Sequence, residues 1–179
     1  LGLVFGIGVA TVREVRDRFF RTGDQVRDEL GLEYLGAMPM APAKRIWKRP
    51  VSVPKNREIV RVNTISQYAV ENPLSMFSES LRSAKLAIDT ATKEERCKVI
   101  GFVSALPGEG KSTTAINFAQ QLAGNGASTL LIDADLRNPG ASRLLAPQAE
   151  VGLAEYLQDG KAFEDILWSD PRTGMKFIP

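Results

Sequence analysis

Between Lys98 and Asp133 an apolar run, a glycine-bearing loop, a stretch of helical periodicity and a second apolar run follow one another without a gap. Lys98-Val99-Ile100-Gly101-Phe102-Val103-Ser104 has the composition of a strand buried in a parallel sheet. Ser112 to Ala123 then places Ala115, Ile116, Ala119, Leu122 and Ala123 at helical spacing. Gly124-Asn125-Gly126 ends that helix, and Thr129-Leu130-Leu131-Ile132-Asp133 resumes strand character. Strand, helix and strand of these lengths make a right-handed crossover, which requires parallel neighbours covered by helices. The expected fold class is therefore α/β, a parallel sheet with helices on both faces.

The loop inside this unit carries the chemistry. Ala105-Leu106-Pro107-Gly108-Glu109-Gly110-Lys111-Ser112-Thr113 matches the phosphate-loop pattern with Ala105 in place of the first glycine. Small, flexible residues let successive backbone N–H groups curve around phosphate oxygens, and the helix that starts near Ser112 adds free amides and the positive end of its dipole. Lys111 is placed to neutralise β- and γ-phosphates, and the Ser112 hydroxyl to bind Mg2+. A second feature, Leu130-Leu131-Ile132-Asp133-Ala134-Asp135-Leu136-Arg137, sets two carboxylates at the end of the next strand. Ligands of open parallel sheets gather beyond the carboxyl ends of strands, so Asp133 and Asp135 are expected to share one crevice with the loop.

Composition narrows the chemistry further. Cys97 is the sole cysteine and histidine is absent, which excludes an internal disulfide, a Cys/His zinc site and nucleophilic catalysis by a Cys–His pair. At 179 residues the chain can bury one substantial core, with at most a small appendage.

Upstream of this core the sequence changes character. Leu1 to Ala10 is uncharged and apolar, and Arg13, Arg16, Arg18 and Arg21 follow at once. A helix needs about 20 residues to cross a bilayer, so this run reads as the end of a transmembrane helix whose basic flank marks the cytoplasmic side. A buried strand or helix of a soluble domain is the alternative. A secretory signal fits poorly, because its charge precedes its apolar stretch. Residues 13 to 31 read as helix broken near Gly23, with Asp24 capping a second segment that ends at Leu30 before Gly31. Glu33 to Met38 reads as a short strand.

Residues 39 to 58 intersperse Pro39, Pro42, Pro50 and Pro54 with Lys44, Arg45, Lys48, Arg49, Lys55 and Arg57, the composition of a linker or exposed loop. Residues 1 to 61 hold twelve Lys or Arg against seven acids, while the remainder holds eleven against fourteen. Such a basic segment meets an anionic surface or solvent alone. If the preceding helix leaves a membrane, these cations lie near anionic headgroups, and no nucleic acid partner is expected. From Asn72-Pro73 onward, Phe77, Leu81, Ala84 and Ile88 share one helical face. Glu79, Arg82 and Lys85 flank it at three-residue steps, as an ion-pair ladder or a contact to another subunit. The expected organisation is thus a membrane-helix end over 1–12, a juxtamembrane helix and strand over 13–38, a basic linker over 39–71 and the core over 72–179.

Pro107 to Thr113, the Asp133-x-Asp135-x-Arg137 motif and the helix Glu79-x-x-Arg82-x-x-Lys85 together resemble the bacterial tyrosine kinases of capsule and exopolysaccharide export, the BY-kinases. The likeness extends in outline over nearly all of the chain, including Leu35-Gly36-x-x-Pro39 and Gly152 to Leu157. It implies a P-loop kinase domain on the cytoplasmic side of a bacterial inner membrane, using ATP and Mg2+. Pro107, Gly108, Glu109, Gly110, Lys111, Ser112 and Thr113 would bind nucleotide. Lys111 would stabilise the transferred phosphoryl group, Ser112, Asp133 and Asp135 would serve the metal, Asp133 would orient or deprotonate a tyrosine hydroxyl, and Arg137 would support them.

Glu79, Arg82 and Lys85 would join copies of the chain into a ring, each presenting a tyrosine tail to its neighbour, beside the polysaccharide polymerisation and export machinery. Lys85 stands where the family has Arg, which removes a planar two-pronged contact. An apolar run ending in Asp after Arg137 and a closing tyrosine cluster are not found in these residues, so the domain is read as incomplete at its C-terminus. Two other readings stay open: a partitioning or septum-positioning ATPase, whose extra loop lysine is replaced here by Leu106, and a nucleotide-binding, non-catalytic regulator of polysaccharide export.

Overall fold

The computed structural model describes residues 2–16, 20, 22–42, 56–60, 64–92 and 97–179. The expected flank around Arg18 and Arg21 and most of the basic linker, including Lys44, Arg45, Lys48 and Arg49, lie outside the described residues. The chain divides into two compact units, Leu1–Ala37 and Met38–Pro179.

The first unit holds helices α1 (Gly2–Arg16) and α2 (Gly23–Leu30). The described part of the apolar run is helical, and the Phe5, Ile7 and Val9 side chains in it and Val12 beyond it are exposed. Among the described residues no helix is long and apolar enough to cross a membrane. The capping residue of α2 is Thr22, not Asp24. The Thr22 hydroxyl accepts from the Gln25 amide at 3.3 Å while the Gln25 side chain accepts from the Thr22 amide, a reciprocal pair that Asp24, already inside the first turn, cannot make. Gly31 ends the helix in the left-handed region at φ 64°. The expected strand over 33–38 does not form; these residues carry no ladder pairing.

The second unit begins its packing earlier than expected. Ile59 and Val60 are buried, and the Val60 amide donates to Leu145 at 2.7 Å. A 3-10 turn (Ile65–Gln67) leads directly into α3 (Tyr68–Glu71). Asn117, wholly buried, ties this segment down: its carbonyl accepts from the Ala69 amide and its NH2 donates to Ile65 and Thr113 carbonyls. The linker read over 39–71 therefore surrenders its last residues to the core. Buried backbone polar groups demand partners, and Asn117 supplies them from a helix fifty residues on.

Helix α4 (Met76–Ala91) opens at Ser75, whose hydroxyl accepts from the Ser78 amide. Its expected face is the observed one, with Phe77 and Leu81 buried and Ala84 and Ile88 packed beside them against Phe118. Helix α5 (Lys111–Gly124) buries Ala115, Ile116, Ala119 and Ala123 as its spacing predicts. It separates two apolar clusters, one with α4 and one around Ile116, Leu145, Met175 and Phe177. Complete burial of each large apolar side chain there contributes about 1.5–3 kcal/mol relative to exposure.

Beyond α5 come β1 (Leu130–Ile132), α6 (Gly140–Leu145), α7 (Leu153–Asp159), α8 (Phe163–Ile166), β2 (Trp168–Ser169) and β3 (Lys176–Ile178). Two short helices, α7 and α8, thus precede the strand pair, and β3 carries Phe177. Strand order is β1-β3-β2, with β1 parallel and β2 antiparallel to β3. The sheet is thus small and mixed, not wholly parallel.

Lys98–Ser104, expected as a buried strand, joins no ladder. Its alternate residues Ile100 and Phe102 pack on the α4/α5 cluster, whereas Val99 and Val103 are 95% and 92% exposed. The segment has a strand's period of two, but only one of its faces is covered.

Candidate functional site

Residues 104–113, the turn after β1 and the start of α6 enclose an open cleft of about 740 Å³. Its floor is the entrance to α5. Gly108 and Gly110 hold φ of 86° and 91°, a region that costs other L-residues about 1–2 kcal/mol, so the turn into the helix depends on both glycines. No side chain caps α5. Its first-turn amides lie at the cleft, and a 14-residue helix concentrates partial positive charge there. Glu109 does not line the cleft; its carboxylate turns back to accept from the Leu106 amide at 3.0 Å, bracing the loop.

Pro107, Gly108, Gly110, Lys111, Ser112, Thr113, Asp135 and Arg137 all line this cleft. The Lys111 ammonium donates to the Asp135 carboxylate, and the two side chains are each 29% exposed. That hydrogen bond, seconded by the Asn138 amide, holds the Asp135 carboxyl below its ordinary value of 3.8, and the Arg143 guanidinium adds to the effect.

Asp133 is placed differently. The ladder continues one residue beyond β1, with the Asp133 amide donating to Ile178 at 3.0 Å, so its side chain is drawn inward and is only 6% exposed. Its carboxylate accepts from both the amide and the hydroxyl of Ser142 at 2.8 Å, and from the Asp135 amide at 3.4 Å. It caps the first turn of α6 from a distance. The two carboxylates expected in one crevice are thus divided, Asp135 in the cleft wall and Asp133 behind it.

Sequence reasoning missed α6 and with it Arg143, which lines the cleft and donates to Asn138 at 2.6 Å. Asn138-Pro139-Gly140 reads as a plain turn, yet Pro139 is the N-cap position of a helix. A basic residue four places beyond a proline that opens a helix was the available signal.

Ser112 and Asp135 offer hard oxygen donors, the type Mg2+ prefers. Among the described residues no group of three or more His, Cys, Asp or Glu could hold a metal. A cation held by this pair would complete its shell with phosphate and water oxygens, as Mg2+ commonly does.

On α4, Glu79 and Arg82 form an exposed pair at 2.6 Å, and Arg82 also donates to the Pro73 carbonyl. Lys85 pairs with Asp89 instead, which Lys98 also reaches at 2.6 Å. The hydrogen bonds from Lys85 and then Lys98 hold the Asp89 carboxyl below its ordinary value. The expected ladder is thus two separate pairings along one helix.

No family model matches the chain. It is 36% identical to the succinoglycan biosynthesis transport protein ExoP of Rhizobium meliloti, over all of this chain and 24% of that protein. It is 40% identical to the tyrosine-protein kinase YwqD of Bacillus subtilis, over 55% of this chain and 42% of that protein. With the tyrosine-protein kinase ptk of Acinetobacter johnsonii the identity is 27%, over 99% of this chain and 23% of that one. The chain therefore spans less than half the length of these curated relatives.

Among solved structures, the BceF tyrosine kinase domain superposes with a TM-score of 0.64 at 28% identity, covering 88% of this chain and 60% of that one. The chimerical protein CapA2B2 gives 0.67 at 25% identity, over 88% and 59%. In sequence the chain is related to the bacterial tyrosine kinases, and its mixed α/β fold of helices around a small sheet is similar to theirs.

Proposed function

We propose that this relative of the bacterial tyrosine kinases forms the nucleotide-binding part of a P-loop protein-tyrosine kinase, acting with ATP and Mg2+. One observation carries the reading: loop residues 105–108 and 110, the uncapped entrance of α5, Lys111, Ser112 and Asp135 all face a single cleft. In it, backbone amides at 108–113 hold phosphate oxygens. Lys111, paired with Asp135 at rest, turns to the β- and γ-phosphates and leaves the carboxylate to the metal beside the Ser112 hydroxyl. The metal, when bound, neutralises charge developing on the transferred phosphoryl group. Arg137 and Arg143 add positive charge at the rim. Asp133 is proposed to serve the metal or the acceptor tyrosine, a role that requires it to exchange its bonds to Ser142. The work is positioning and electrostatics more than covalent chemistry.

Further parts of the reading concern the whole protein. Glu79, Arg82 and Lys85 join copies into a ring, so that the tyrosine acceptor comes from a neighbour. The exposed apolar side chains of α1 and the basic stretch after it attach the assembly to the inner membrane, beside the machinery of polysaccharide polymerisation and export. The ExoP likeness supports that setting.

The test is transfer itself. Given γ-labelled ATP, Mg2+ and a tyrosine-rich peptide, the protein is expected to produce phosphotyrosine, and Lys111→Met to lower the rate by at least about 100-fold. Hydrolysis of ATP with no phosphotyrosine would favour the partitioning ATPase, and nucleotide-dependent assembly with neither activity the non-catalytic regulator.

A further inference from the structure

We infer that Gly140, at the first turn of α6, is a positioning residue that reserves the space in which the Ser112 hydroxyl serves the metal; the inference rests on the phosphate-cleft reading above. The two residues stand on different elements and meet at the cleft wall. A Cβ built on Gly140 would fall 2.4 Å from the Ser112 Oγ and 3.2 Å from its Cβ. Gly140 is not in the left-handed region, so no backbone demand excludes a side chain here. What a side chain would meet is the Ser112 hydroxyl.

The same end of α6 is fixed from behind, because Asp133 accepts from the amide and hydroxyl of Ser142, two residues along the first turn. Asp133 thus sets where α6 begins, and Gly140 sets how closely α6 approaches the hydroxyl. This gives the buried carboxylate a part in the cleft that it does not line.

A methyl group at 140 meets the mobile end of a serine, which escapes by rotating to another staggered rotamer. The fold should absorb the change, and what is lost is the direction of the hydroxyl. Removing such outer support typically costs 10–100-fold in metal affinity.

Calorimetry of ADP binding to Gly140→Ala, with Mg2+ and with the metal chelated, tests this. The expected result is metal-free affinity equal to wild type, a magnesium-dependent increment reduced about 10–100-fold, and a melting temperature within about 4 °C of wild type. In a Ser112→Ala background, where no hydroxyl remains to displace, Gly140→Ala should add no further loss. A full magnesium increment in Gly140→Ala, or an equal additional loss in the Ser112→Ala background, overturns the inference while leaving the cleft's ligand intact. A melting temperature lowered by more than about 10 °C also overturns it, because it assigns Gly140 to the packing of the fold. If wild-type protein binds no ADP in either condition, the phosphate-cleft reading itself falls.

Discussion

At the scale of single residues, the cleft is governed by one ion pair. Lys111 holds the Asp135 carboxyl below its ordinary value, chiefly through their hydrogen bond. A carboxylate whose pKa is lowered on folding adds stability that is complete above its unfolded value and is lost as pH falls through the lowered one. The pair is therefore fully formed at neutral pH and breaks only in acid, below the ordinary carboxylate range. Lys111→Met is expected to return the Asp135 carboxyl upward toward its ordinary value, as read by carbon-detected NMR titration of that side chain. An unmoved titration would mean that Asn138 and Arg143 hold the carboxylate without the lysine.

Lys111 and Ser112 were legible in the sequence because the loop pattern fixes their spacing, and Asp135 because it follows the apolar run that makes the next strand. The withdrawal of Asp133 was not legible, since it depends on Ser142, whose helix opens at a proline within an ordinary turn signal.

At the scale of elements, α5 couples the cleft to the rest of the second unit. Asn117 lies six residues along that helix from Lys111 and satisfies backbone groups of Ile65, Ala69 and Thr113. Asn117→Ala would strand the buried Ala69 amide, at a cost of about 1–3 kcal/mol, while the Ile65 carbonyl keeps the Tyr68 amide and the Thr113 carbonyl its place in the helix ladder. Urea denaturation is expected to show a loss of about 1–3 kcal/mol with an unchanged slope. A loss under about 1 kcal/mol would mean that the amide finds water instead.

Helices α4 and α5 were readable because apolar spacing reports a buried face directly. The pairing of Lys98–Ser104 was not, because apolar content states that a segment favours burial but not whether a neighbour hydrogen-bonds to it. Strand β2, two residues long, offers no periodicity to read.

At the scale of the molecule, the basic excess of residues 1–61 together with the exposed apolar side chains of α1 gives the membrane reading its test. Each cation near an anionic surface contributes about 1 kcal/mol. Replacing Lys44, Arg45, Lys48 and Arg49 by Gln should therefore weaken sedimentation with phosphatidylserine vesicles by at least about 100-fold at low salt. That difference should fade as salt shortens the range of the field. Equal sedimentation of both proteins at low salt would assign the basic stretch to solvent.

The mutual hold of Lys111 and Asp135 also shapes how the cleft accepts a guest. The protein carries its own placeholder: the ammonium already has an anion before any phosphate arrives, so entry is a trade of one counterion for another, not the filling of a bare positive hole. A guest with many anionic oxygens and a divalent cation of its own offers a replacement to both members of the pair at once, whereas a lone small anion offers one to the lysine and leaves the carboxylate stranded.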